Sequence, residues 1–344
     1  MKVGVKIISV NSQYTICLIN CGKEVIALER QKTLAIHMNH VNKSYGLKRG
    51  VTDLNLAVKK GEIVGFIGPN GAGKSTTIRL LMQLISPASG DISVLGERIK
   101  KDNPMIRRRI GYLPSEIRLY PDLTGEQMLE LAAGIHGIDL KKTRIPEYAQ
   151  RLQWEMNPRI RTYSLGNRKK LGILLALLHE PELLVLDEPT SGLDPLAQQS
   201  FFEIVRELNE SNGTTVFLST HILTEVDKLC HRVVFIRDGK IIQDSSVPDL
   251  MRGGAHLYEV IFKESGDLRQ TYGLLKIDPN SKYMDGVCSG RIEDHCLNTF
   301  LSLLADKPIK DLNLRKLSLE ERFMEKYSRH KEKKAEGPND EQVV

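Results

Sequence analysis

Cysteine is scarce in this chain. Its five copies (Cys17, Cys21, Cys230, Cys288 and Cys296) are odd in number and scattered, which argues against a disulfide framework and suits a reducing compartment. Cys17 and Cys21 stand four apart with no histidine close by, so they do not read as a metal site. Long hydrophobic runs are missing too. The most apolar stretch, Leu171 to Leu178, is stopped by His179-Glu180-Pro181-Glu182, far short of the about 20 residues that cross a bilayer. If the protein serves a membrane, another chain is expected to cross it. Residues 1–20 lack the apolar core of a secretory signal, because Lys6, Asn11, Ser12 and Gln13 interrupt it. No internal repeat is visible.

The composition is that of a globular protein, 41% hydrophobic and 27% charged over 344 residues, enough for one large domain and a smaller one. The net charge of +6 owes something to Lys326, Arg329, Lys331, Lys333 and Lys334. A basic excess permits attraction to anionic membranes or nucleic acid without choosing between them, and a solvated tail is the plainer reading.

The pattern is α/β. Residues 1–37 carry β-prone pieces such as Tyr14 to Leu18 and no site. Residues 38–244 alternate strand and helix signals, with a region of about 104–166 richer in helix. Leu54, Leu56 and Val58 alternate as a strand, as do buried-type runs at Leu183 to Leu186 and Thr215 to Leu218. Thr124-Gly125-Glu126-Gln127 reads as a capping box and Asp238-Gly239 as a hairpin turn. A composition shift near Ser245 to Gly254 suggests a linker to a small α/β domain over 245–328. There Tyr258, Val260 and Phe262 alternate, as do Leu312 and Leu314. Leu297, Phe300, Leu301 and Leu304 keep helical spacing, and Ser318 with Glu321 forms a second capping box. A polar tail, 329–344, is expected to lack fixed structure.

One segment dominates. Gly68-Pro69-Asn70-Gly71-Ala72-Gly73-Lys74-Ser75, continued by Thr76, fits G-x-x-x-x-G-K-S in full. Ile63 to Ile67 ahead of it suits a buried strand. Ile78, Leu81, Met82 and Ile85 behind it form a helical stripe. The glycines therefore sit where strand hands over to helix and unpaired backbone amides can cradle phosphate oxygens. Lys74 can reach the β- and γ-phosphates, and Ser75 can ligate Mg²⁺.

An apolar strand ending in Asp187-Glu188 supplies the second element. Its first carboxylate lies at a strand end, where it can hold Mg²⁺, and the second can polarise an attacking water, which favours hydrolysis over transfer to another substrate. Between the two, Tyr163-Ser164-Leu165-Gly166-Asn167 opens a helix running through Leu178. Ser164 is a natural N-cap, so this end can face a second phosphate, although alone it would be an ordinary capped helix.

In their order these motifs resemble the ATP-binding subunit of an ABC transporter, over roughly residues 38–243. The resemblance implies a P-loop ATPase of the ABC type, with a mixed sheet core, a helical subdomain and here a small C-terminal accessory domain. It implies ATP with Mg²⁺. Tyr45 matches the aromatic that stacks on adenine, Gly68 to Ser75 the Walker A loop, and Asp187-Glu188 the Walker B end with its catalytic glutamate. Ser164 to Asn167, Gly166 among them, match the signature. Ser191-Gly192-Leu193-Asp194 match the D-loop, and His221 the switch histidine that senses the γ-phosphate. Two copies are expected to pair head to tail around two ATP and to drive a separate transmembrane permease from the cytoplasmic face of the membrane. The variant looks similar to the export-type subfamily.

Two positions depart from the pattern. Ser115 in Ile110-Gly111-Tyr112-Leu113-Pro114-Ser115-Glu116 stands where the family usually has a glutamine that reaches Mg²⁺ and the attacking water. Serine is shorter and needs a bridging water, which questions coupling through this loop. Leu165 replaces a signature glycine, so slower or weaker closure is expected. A soluble ABC-type ATPase acting on ribosomes or nucleic acid is the alternative. A single ATPase unit without a long coiled-coil insertion speaks against it, and nucleic acid is not an expected partner. A nucleotide kinase is a weaker third reading, opposed by the acid pair and His221.

Overall fold

The computed structural model describes residues 4–10, 14–21, 24–29, 34–46, 48–99, 103–251, 254–264, 267, 269, 272–318 and 321–322. The expected tail, 329–344, and its basic cluster lie outside them. The chain divides into two compact units, Met1–Asp244 and Ser245–Val344.

In the first unit, β1 (Gly4–Val10), β2 (Tyr14–Cys21) and β3 (Glu24–Glu29) pair as an antiparallel sheet. Next come β4 (Leu34–Tyr45), β5 (Lys48–Lys59), β6 (Ile63–Ile67), α1 (Lys74–Leu81), β7 (Ser89–Val94) and β8 (Glu97–Arg98). A four-stranded sheet runs β5-β4-β7-β8, and Leu54, Leu56 and Val58 of β5 alternate inward as their spacing predicts. The chain continues with α2 (Pro104–Arg107), β9 (Ile110–Leu113), α3 (Gly125–His136), α4 (Ile145–Arg151), α5 (Leu165–Leu177), β10 (Leu183–Asp187), α6 (Pro195–Asn212), β11 (Thr215–Thr220), α7 (Leu223–Leu229), β12 (Arg232–Arg237) and β13 (Lys240–Ser246).

The central sheet has the order β13-β12-β6-β11-β10-β9, with β12, β6, β11, β10 and β9 parallel. Its inner strands β6, β10 and β11 are buried at every residue, which is why they read as unbroken apolar runs rather than alternations. β9 falls in the stretch expected to be richer in helix, yet it is an edge strand of this sheet, set between α2 and α3. Asp238 and Gly239, both at positive φ (49° and 76°), make the two-residue turn between β12 and β13. One buried cluster joins Ile36, Leu54 and Val94 of the antiparallel sheet to Ile78 and Leu81 of α1 and to Phe66 and Val234 of the central sheet. Burial of each such large side chain contributes roughly 1.5–3 kcal/mol. α1 stops at Leu81, with Met82 as its C-cap. Ile85, the last member of the predicted stripe, lies beyond the helix and packs on the core from outside it.

The second unit holds α8 (Val247–Met251), β14 (Ala255–Phe262), α9 (Leu274–Ile277), β15 (Lys282–Met284), β16 (Val287–Glu293), α10 (Leu297–Leu304) and β17 (Ile309–Lys316). The stretch read as a linker thus contains the end of β13 and all of α8. The antiparallel sheet, ordered β15-β16-β14-β17, buries Tyr258, Val260 and Phe262 with Phe300 and Leu304 of α10. Ser318 and Glu321 exchange both capping-box hydrogen bonds, at 2.8 and 3.2 Å.

Candidate functional site

Parallel strands bring their carboxyl ends to one side of a sheet, and ligands bind there. Here the ends of β6, β9, β10 and β11 deliver, in turn, the glycine loop, Ser115, Asp187-Glu188 and His221. A cavity of about 500 Å³ opens among them, lined by Tyr45, Pro69, Asn70, Gly71, Gly73, Lys74, Ser75, Thr76, Ser115, Asp187 and Glu188, and also by Gly50 and Arg79.

The loop is shaped by two glycines. Gly73 is the N-cap of α1 at φ 110°, with no side chain capping the helix, so the first-turn amides remain for an anion. A Cβ on Gly68 would come within 2.3 Å of the Ile236 carbonyl oxygen. Lys74 is buried; its Nζ donates to the Gly68 carbonyl at 2.6 Å and lies 3.7 Å from Glu188 Oε1. Glu188 takes a left-handed backbone conformation at φ 50°, a strained choice for a non-glycine residue, and its Oε2 is 2.8 Å from His221 Nδ1. One carboxylate is thereby held between Lys74 and His221.

Asp187 is buried at the end of β10, and the Ser75 hydroxyl donates to its Oδ2 at 3.3 Å. Burial pushes its carboxyl above the usual range and the neighbouring Glu188 charge adds to this, while the Ser75 and Ser115 hydroxyls favour the ionised form. A carboxylate under that pressure, beside serine oxygens and open to the cavity, is a hard-oxygen donor set suited to Mg²⁺. Among the described residues no group of three or more His, Cys, Asp or Glu side chains could hold a metal.

The remaining expected residues are elsewhere in the unit. Ser164 caps α5, accepting from Asn167 N at 3.1 Å. Gly166 abuts the segment Ser191 to Asp194 so closely that a Cβ would meet the Gly192 carbonyl at 2.7 Å. Asp194 caps α6 through Ala197 N at 2.9 Å and pairs with Lys170 Nζ at 3.2 Å. The Ala197 amide, more than Lys170, holds its carboxyl below the ordinary range. None of the three lines the cavity of their own copy.

Sequence reasoning missed four residues. Gly50 and Arg79 line the cavity; Arg79 could have been found, since it follows Ser75 by one helical turn. Lys169 is almost fully buried, with its Nζ on the Ser115 carbonyl at 3.1 Å. Glu225 is buried in α7, hydrogen-bonded to Thr190, and burial raises its carboxyl above the usual range. A lysine and a glutamate inside helices give no sequence signal of burial.

Comparison with known proteins decides the family. The model described as ABC transporter matches residues 51–191; a second, described as AAA domain, putative AbiEii toxin, Type IV TA system, matches 157–227. The chain is 42% identical to the bacitracin transport ATP-binding protein BcrA of Bacillus licheniformis over 61% of its own length and 69% of that protein. It is 33% identical to the daunorubicin resistance ATP-binding protein DrrA3 of Streptomyces coeruleorubidus over 84% of its length and 95% of that protein. The chain belongs to the ABC transporter ATP-binding proteins. Among solved structures it is similar to an ATP-binding subunit of an ABC transporter (TM-score 0.59, 32% identity, 63% of this chain and 92% of that one). It is also similar to a bacterial ABC transporter cassette caught as a dimer after hydrolysis, bound to ADP and Pi (TM-score 0.58, 25% identity, 62% and 98%). The central sheet and its loop are thus those of an ABC-type P-loop ATPase, and the protein binds and hydrolyses ATP.

Proposed function

We propose that this ATPase is the motor of an export system. Two copies close head to tail on two ATP molecules and move a separate membrane-spanning permease from the cytoplasmic side. The observation that carries this is the separation of the two anion-facing helix ends. α1 opens into the cavity, whereas α5, with Ser164 and Gly166 at its start, and the D-loop lie outside it. A second copy would bring its α5 end to the first copy's phosphate. The names of relatives support a transport role, bacitracin transport and daunorubicin resistance among them, and a further relative, the Nod factor export ATP-binding protein I of Cupriavidus pinatubonensis (36% identical over 69% of this chain and 74% of that protein), names export. No helix of the described residues is long and apolar enough to cross a membrane, which fits a permease supplied by another chain.

In this reading Tyr45 stacks on the base. The amides of residues 70–76 and Lys74 hold the phosphates and stabilise charge on the transferring phosphoryl group. Ser75 and Asp187, with Ser115 beside them, would hold Mg²⁺, which supplies neutralisation of the β- and γ-oxygens. Glu188 orients the attacking water, and His221, 2.8 Å from it, fixes that carboxylate and senses the γ-phosphate. ATP joins the two copies, and hydrolysis removes the link. Purification of the tagged chain from detergent-solubilised membranes tests the proposal. A polytopic membrane protein is expected to come with it; recovery of ribosomal proteins or DNA instead contradicts the export reading.

A further inference from the structure

The loop that departs from the family pattern at Ser115 is tied down from beneath by a buried cation. Lys169, in the second turn of α5, is 1% exposed. Its Nζ donates to the Ser115 carbonyl at 3.1 Å and reaches that of Pro114 at 3.5 Å. Burial lowers its pKa, while the carboxylates of Asp187 and Glu188 pull the other way and favour the charged form. Burying an ammonium costs several kcal/mol unless its surroundings compensate, and an apolar side chain would fill the same space without that cost. The charge and its donors therefore need a reason beyond packing. The next residue supplies context: Lys170 reaches Asp194 in the D-loop at 3.2 Å, and the Leu165 side chain lies against Gly192. One helix is joined to the Ser115 loop by one lysine and to the D-loop by its neighbour.

We propose that Lys169 is a positioning residue: it grips the Ser115 loop by its carbonyls so that the Ser115 hydroxyl is presented to Asp187, and it makes α5 the rod between the signature end and the hydrolytic centre. Serine has one short polar arm with which to organise this loop from the cavity side. Here the loop is fixed from the helix side instead. The functional half of this inference rests on the ATPase reading; the tether itself does not.

The test uses the full chain and the substitution K169M, similar in length and apolar. Hydrogen exchange of the nucleotide-free protein reports the tether directly. Amides of residues 113–117 should exchange at least about fivefold faster in K169M, while the melting temperature changes little, because loss of a buried charge offsets loss of its bonds. ATP turnover should fall about tenfold in kcat with KM nearly unchanged, since an interaction felt at the reacting centre is lost rather than ground-state binding. K169R, which keeps charge and donors, should restore at least about half of kcat. In a cycle with S115A the double variant should lose no more than K169M alone, because both act on one contact. Should K169M fail to fold, K169Q replaces it in the cycle. Unchanged exchange at 113–117, losses that multiply, or K169R no better than K169M each overturn the proposal. If the unsubstituted chain shows no turnover that depends on Lys74, the ATPase reading fails instead, and the exchange measurement still decides the tether.

Discussion

The N-termini of α1 and α5 present the same chemistry, a row of helix amides, in opposite settings. At α1 the cap is Gly73, no side chain satisfies the first turn, and the flanking Lys74 is buried beneath. At α5 the Ser164 hydroxyl already takes the Asn167 amide, and Leu165 stands 61% exposed at the rim. The first end is finished and waits for an anion. The second is half-satisfied and solvent-facing. In the proposed dimer it would become a phosphate site when the other copy closes over it, and the contrast would then separate binding, within reach of one copy, from hydrolysis by two.

Substitutions at each end can break that contrast. K74A should cost the most. Removing the buried cation at α1 should lower kcat/KM for ATP by about a thousandfold, read by phosphate release; undiminished turnover would leave the loop without a role. E188Q comes next. It should reduce kcat at least about a hundredfold while leaving ATP binding intact, so that size-exclusion chromatography with ATP and Mg²⁺ shows a stable dimer. A monomer under those conditions would remove the need for the α5 end. L165G restores a small residue at the α5 rim and should raise kcat by a few-fold, without changing the affinity of a single copy for ATP. An equal change in single-copy affinity would mean that α5 takes part in the cavity of its own chain.

The smallest effect lies past the far end of α5. His179 stacks on His136 at 4.5 Å, and burial, with the charge of His136, lowers its pKa from 6.5 to about 4. The folded chain then binds fewer protons than the unfolded one between these values, so this residue's contribution to stability is complete above about pH 6.5 and is lost as pH falls toward 4. H179F keeps the stacking ring and cannot titrate. It should flatten the fall of melting temperature between pH 6.5 and 4.5 and leave ATP turnover at neutral pH unchanged.

The phosphate side was legible in the sequence because its chemistry is local. A buried strand, a glycine loop and a helix start follow each other within Ile63 to Leu81. The acids of the second motif sit where a four-residue apolar run, Leu183 to Leu186, ends. The capping boxes at Thr124 and Ser318 and the Asp238-Gly239 turn were equally local. What stayed hidden depends on partners distant in the chain. β9 becomes a strand because β10 offers it a parallel edge, not because Ile110 to Leu113 alternate. The apolar spacing places Ile85 in α1, but spacing alone does not mark where a helix ends, and α1 stops at Leu81. Lys169 and Glu225 read as surface residues until the Ser115 loop and Thr190 are brought against them.

Calorimetric titration of MgATP into the purified chain tests the central claim most directly, that backbone amides where β6 passes into α1 grip a triphosphate. The account predicts saturable heat with one ATP per chain, abolished in K74A and retained in E188Q. No heat in the unsubstituted chain, or the same heat in K74A, would contradict it.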